Sequence, residues 1–322
     1  MSDRHDSLAR LLRVGVLWAL LSPAYGQGAS ERPIIGFVED IPVIEQIAGP
    51  GKPITLEPQV RVAFAKTADG WKPACVYSEG EIESPECIDL GLIRKVSWAV
   101  IHQGTRIGEV ETDGWYDARY YRTLGVLKRT SRAAPRVGKP ETEFASWLAP
   151  AAHRPLAALR NAKVAGPSGW SDAKPAAVDM ATVHATFLLA FKNLPNCKTD
   201  ATARSAIEAR HLSVSHSSRS KTGERLIGVR FDPKLADGCE GPRGLEWSDL
   251  WFYAPADKPP SMLPVDIEND LAPFRMSLIE LNDFDGDGKP EALFWFSSHN
   301  VEGYILVHDQ FEQQVRFIWK YQ

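Results

Sequence analysis

Cysteine is scarce in this chain, and its spacing excludes more than its number does. There are four, Cys75, Cys87, Cys197 and Cys239, in 322 residues. No two stand at the close Cys-x-x-Cys spacing of a structural zinc site. Also lacking is a long apolar run of the roughly 20 residues that a membrane-spanning helix needs. No strong charge of one sign is present: the formal net charge is −4, which argues against a dedicated nucleic-acid binder. The common catalytic signatures are missing too. There is no Gly-x-Ser-x-Gly elbow, and Gly166-Pro167-Ser168-Gly169 reads as a linker. No His-Glu-x-x-His occurs, and Gly49-Pro50-Gly51-Lys52 runs into Pro53 without the spacing of a phosphate loop. His211 and His216, five apart in an expected strand, fall on opposite faces. His299-Asn300 reads as a turn. No catalytic residue is assigned.

What is present starts at the N-terminus. Arg4, Arg10 and Arg13 precede the short apolar run Val14 to Leu21, and Ser22-Pro23-Ala24-Tyr25-Gly26 supplies a breaker and small residues. This pattern is that of a secretory signal peptide over residues 1–26. The expected location is therefore periplasmic or extracellular, with no transmembrane segment in the mature chain. An oxidising compartment turns four cysteines into two bridges, and three pairings are open. The simplest is local: Cys75 with Cys87, stapling a loop with Glu79, Glu81, Glu83 and Glu86, and Cys197 with Cys239.

The clearest chemistry is Asp283-Phe284-Asp285-Gly286-Asp287-Gly288-Lys289-Pro290-Glu291. Three alternating aspartates bring carboxylates to a common centre. The Lys289 carbonyl and the Glu291 carboxylate can complete an oxygen shell for a hard cation, with Ca2+ the expected ion. An EF-hand needs a Glu at position twelve, and that position is Phe294. A dockerin-type loop would also want an oxygen ligand there. Glu291, at position nine, fits a shorter loop between two strands, Met276 to Leu281 and Ala292 to Ser297. Strand, Asp-x-Asp-Gly-Asp-Gly-x-x-Glu, strand resembles the FG-GAP/VCBS type of calcium repeat of integrin-like β-propellers and secreted bacterial proteins. The resemblance covers about the last fifty residues, in one copy, and implies a strand-linking structural calcium site.

A basic stretch runs from Arg119 to Lys139 with no acid in it, including Arg119, Arg122, Lys128, Arg129 and Arg132. Such a patch can grip an anionic polymer, although a solvated strand end is the commoner origin of a charge run. Trp115, Tyr116, Tyr120 and Tyr121 lie nearby as candidate surface aromatics.

Period-two patterns over Ile34–Val38, Val60–Ala65, Val96–Gln103 and Arg106–Val110 predict strands, as do stretches within 206–215, 224–230, 247–254 and 276–321. Thr142–Ala149 and Pro155–Ala162 read as short helices. The expected fold is mainly β: an N-terminal domain over 27–150, a helical and Pro/Gly-containing linker over 151–177, and a C-terminal domain over 178–322. Sandwich and irregular or partial propeller sheets both fit. Two function classes follow. One is an exported, non-catalytic protein that binds an envelope glycan or protein on a calcium-stabilised scaffold. The other is a secreted hydrolase of an envelope polymer, which requires a cleft with paired carboxylates or a perturbed His.

Overall fold

The computed structural model describes residues 32–42, 56–75, 77–78, 81–82, 86–88, 90, 96–112, 123–124, 126–129, 134–138, 144, 153–162, 169–192, 212–231, 249–264, 275–298 and 301–320. The fold is mainly β, in antiparallel sheets. The strands of the first half are β1 (Ile34–Pro42), β2 (Leu56–Thr67), β3 (Gly70–Pro73), β4 (Tyr77–Ser78), β5 (Glu81–Ile82), β6 (Val96–His102), β7 (Thr105–Thr112), β8 (Thr123–Leu124), β9 (Val126–Arg129) and β10 (Leu156–Arg160). After β11 (Trp170–Asp172) comes one helix, α1 (Ala177–Lys192). The remaining strands are β12 (Leu212–Ser220), β13 (Arg225–Phe231), β14 (Asp249–Ala254), β15 (Ser261–Met262), β16 (Arg275–Asn282), β17 (Glu291–Ser298), β18 (Val301–His308) and β19 (Gln313–Lys320).

The first sheet has the order β3-β2-β1-β10-β6-β7, with β9 also on β2. A second runs β11-β12-β13-β14-β15, a third β16-β17-β18-β19, and β5-β4-β8 form a small one. The third sheet is the middle layer, and its sequence shows why. Along β17, Leu293 and Trp295 join the core of the first sheet, whereas Ala292, Phe294 and Phe296 join the core of the second. Tyr304 and Leu306 of β18 alternate with Ile305 and Val307 in the same way. Successive side chains of a strand point to opposite faces. A strand covered on both faces therefore has to be apolar throughout rather than alternating, as Ala292 to Phe296 is.

Polar contacts tie the first sheet to the middle one, with Glu39 and Arg61 of the first sheet at their centre. Glu39 accepts from Arg61 Nε at 2.9 Å and from the Tyr304 hydroxyl. Tyr304 also stacks on Phe37, with centroids 3.5 Å apart. The Arg61 guanidinium lies 4.1 Å over the Trp319 ring, a cation–π contact in a buried setting.

Residues 155–162 do not form the expected helix. Leu156–Arg160 is the strand β10, inserted between β1 and β6. Leu156, Ala157, Ala158 and Leu159 are all buried. The helix preference of Leu and Ala is weak, and pairing on both edges with cover on both faces overrides it. The segment read as linker thus supplies an inner strand of the first sheet. The helix α1 opens the second half. Asp179 sits in its first turn, the favourable end for an acid, and pairs with Arg225 at 3.0 Å. Val183 and Phe187, one turn apart, are buried, as is Asp179. Of the expected helix over 142–149, Phe144 alone is described, buried 5.9 Å from Trp295. The strands expected over Val96–Gln103 and Arg106–Val110 are the hairpin β6–β7, closed by Gln103 and Gly104 with φ of 49° and 69°. Two successive positive φ values are the two-residue turn that suits the twist of antiparallel strands.

Candidate functional site

The carboxylate loop joins β16 to β17, whose last pair is Asn282 with Glu291. Its backbone is wound around its own acids. Asp283 accepts from the amides of Gly286 at 2.7 Å, Asp287 at 3.1 Å and Gly288 at 2.9 Å. Asp287 accepts from the Lys289 amide at 2.8 Å, and Glu291 from the Phe284 amide at 2.7 Å. Gly286 and Gly288 hold φ of 76° and 87°, a region that a Cβ disfavours. Phe284 is fully buried in the first core and anchors the loop. One oxygen each from Asp283, Asp285, Asp287 and Glu291 falls within 4.8 Å of the others. This acidic cluster can hold a metal ion, and its all-oxygen character suits a hard cation.

Electrostatics point the same way. Burial pushes the Glu291 carboxyl up to about 8, and Asp285, Asp283 and Asp287 add to the shift. The Phe284 amide opposes it. A divalent ion at the centre would reverse this balance, because bound cations dominate local titration. Protein cations already touch the rim. Lys66 of β2 pairs with Asp285, and Lys289 with Asp309 at 2.9 Å. The Lys289 side chain therefore points to Asp309, and only its main chain is left to serve the loop.

Of the other expected site residues, Cys75 and Cys87 form a disulfide. Cys197 and Cys239 lie outside the described residues, as do Arg119, Arg122, Arg132, the four candidate surface aromatics and residues 1–26. Lys128 and Arg129 belong to β9, paired with Val60 and Gln59 of β2; their side chains are not among those described. Arg136, from the same basic stretch, binds Asp40 at 2.8 Å, and His153 binds the other oxygen of Asp40 at 2.6 Å.

A second site was not anticipated. A cavity of about 460 Å³ opens between the middle sheet, the second sheet and the β6–β7 turn. Two β-bulges shape it. The register shifts between Val214 and His216 in β12, and between Leu278 and Glu280 in β16. Each bulge inserts an extra residue, Ser215 or Ile279, and both line the cavity next to His216 and Glu280. Bulges re-aim side chains and concentrate next to active sites. Period-two reading cannot foresee them, since each reverses the facing of all that follows.

Glu280 is buried, and its Oε1 accepts the amides of Gly104 at 2.8 Å and Leu281 at 3.2 Å. Oε2 is buried and makes no well-formed hydrogen bond among the described residues. Burial raises its pKa, against the amides of Leu281, Gly104 and Gln103 and the charge of Arg154. His216 faces Trp251, centroids 5.4 Å apart, and contacts Ser218 at 3.2 Å. Burial lowers its pKa, Asp172 opposes that, and Arg154 adds to it. Asp249 and Arg230 form a bidentate pair at 2.9 and 3.0 Å. Burial raises the Asp249 carboxyl, while Arg230 and then the Met276 amide and Arg275 pull it down. His216, lowered by burial, and Glu280, raised by burial, share one enclosure.

Compared with protein-family models, curated proteins and solved structures, the chain matches none. Among the described residues, no helix is long and apolar enough to cross a membrane.

Proposed function

We propose that this is an exported, non-catalytic binding protein on a calcium-stabilised β scaffold, with the inter-sheet cavity as its ligand site. Residues 1–26 are the export signal, and the Asp283–Glu291 loop is an FG-GAP-like calcium hairpin. The observation that carries the reading is the division of labour between two sites. The carboxylate loop packs Phe284 into the core and Asp285 against Lys66, which suits a structural ion. The cavity is lined along β16 from Met276 to Leu281 and by the second sheet, and takes none of the loop's four acids. Exported calcium modules bind with Kd of roughly 10⁻⁴ to 10⁻³ M, so such a site fills where calcium is abundant. Envelope polymers are the ligands expected of that compartment. The test incubates the calcium-loaded protein with cell-wall and surface polymers, measuring retention and released products together. Retention without products supports binding.

A second reading, hydrolysis of such a polymer, is favoured by one observation: Glu280 and His216, both with perturbed protonation, line the same cavity. General acid–base work needs groups tuned in this manner. Product release that is lost in Glu280→Gln would select this reading over simple binding.

A further inference from the structure

We propose that the cavity beside Glu280 binds a neutral saccharide unit, taken between the Glu280 carboxyl group and the Trp170 indole. This rests on the binding-protein reading above and names the ligand chemistry of that same site.

The cations of the cavity are already committed. The Arg230 fork is engaged by both oxygens of Asp249, and Arg154 Nη2 donates to the carbonyls of Leu278 and Ile279 at 2.9 Å each. An anionic ligand would have to compete with these contacts. Acceptors, by contrast, are in surplus. Glu280 Oε2 makes no well-formed hydrogen bond among the described residues, and Asp172 is an exposed carboxylate at the mouth. A buried polar atom left without a partner costs roughly 1 to 3 kcal/mol, so a ligand that donates to it recovers that cost.

The walls supply the other half of the recognition. Trp170 is partly buried at the cavity edge, held against Phe311 with centroids 6.5 Å apart. Trp251 forms the floor, its indole N–H fixed on the Met276 carbonyl at 2.8 Å. Ser215, Ser218 and Ser277 add hydroxyl groups that both donate and accept. A pyranose combines an apolar C–H face with a rim of hydroxyl donors, matching an indole wall and a carboxylate rim. A volume of about 460 Å³ falls within the range of small-ligand sites. Enclosure among three packed elements also keeps those polar groups fixed before the ligand arrives.

The test titrates the full calcium-loaded chain with glucose, with N-acetylglucosamine and with inorganic phosphate, reading tryptophan fluorescence and heat. Saturable binding of at least one sugar is expected, with no response to phosphate. Glu280→Gln keeps an acceptor for the Gly104 amide but removes the carboxylate. Trp170→Ala removes the wall at a partly exposed site. Each is expected to weaken sugar affinity by about tenfold or more, with the melting transition retained, and the sugar is expected to displace retained polymer. Phosphate binding in place of sugar overturns the inference, as does sugar binding that both variants leave unchanged. Polymer retention that free sugar does not displace overturns the inference while the binding-protein reading stands. Sugar binding together with product release overturns the non-catalytic reading and leaves the ligand class in place.

Discussion

The main-chain amide of Gly104 donates to Oε1 of Glu280 over 2.8 Å, joining residues 176 positions apart. The β6–β7 turn of the first sheet thereby satisfies a buried acid on the middle sheet. That acid lies three residues before the carboxylate loop and lines the cavity. One hydrogen bond thus connects the hairpin, the cavity and the approach to the carboxylate loop.

Glu280 makes stability depend on pH with a definite sign. Burial holds its folded pKa above the ordinary carboxylate value. Over that window the folded chain keeps a proton that the unfolded chain has released. Its favourable contribution is full below the ordinary value and is lost as pH rises through the folded value. Asp249, also raised, carries the same sign, whereas His216, lowered by burial, favours stability as pH rises toward the ordinary imidazole value. Urea midpoints of Glu280→Gln are therefore expected to fall less steeply than those of the native protein between about pH 4 and about pH 7. Parallel curves would remove Glu280 from this account.

Metal removal is best tested at Asp287. Asp285 also holds Lys66, so its loss would break an ion pair between sheets. Asp287 is exposed, and its described hydrogen bonds stay within the loop. At free calcium ten times Kd, mass action adds about 1.4 kcal/mol to stability. Chelation by EDTA is expected to lower Tm by roughly 2 to 4 °C, and Asp287→Ala to abolish that sensitivity. An equal Tm of the native protein with and without calcium refutes the structural ion.

The middle sheet leaves no room at Gly303. A Cβ there would stand 2.3 Å from the Phe317 carbonyl oxygen and 2.5 Å from the Phe296 ring. The carbonyl belongs to the paired strand β19, so it cannot swing aside as a flexible side chain would. Gly303→Ala is expected to cost at least about 2 kcal/mol, within the usual range for overpacking, measured as a lower urea midpoint. A neutral outcome would mean that β18 and β19 separate easily.

Much of this architecture is legible in the sequence, and the remainder fails for physical reasons. Asp283, Asp285, Asp287 and Glu291 could be found because their ligand spacing is local, set by one hairpin. The β6–β7 strands are legible from their pattern about the turn at Gly104, and β13 and β14 from runs rich in β-branched and aromatic residues. Leu156–Arg160 was misread because its fate depends on β1 and β6, partners up to 126 positions away. The cavity was illegible because two bulges create it and three remote segments wall it. His216, read from regular alternation, could be assigned a face but not the neighbour Trp251.

The same packing predicts how the molecule unfolds. A boundary at 151–177 would cut β10 from the sheet in which it pairs with both β1 and β6. It would also strip the first core of Trp295, Tyr304, Leu306 and Phe317, which come from the C-terminal half. Each such aromatic or aliphatic residue stabilises by about 1.5 to 3 kcal/mol when buried. A fragment of residues 27–150 would expose that face and two unpaired strand edges, a liability for aggregation. The full chain is therefore expected to melt in one transition, with calorimetric and van't Hoff enthalpies equal, and the fragment to show no cooperative transition. Two resolved transitions, one reproduced by the fragment alone, would instead establish a free-standing N-terminal domain and reduce Tyr304–Glu39 and Lys66–Asp285 to contacts between separately stable parts.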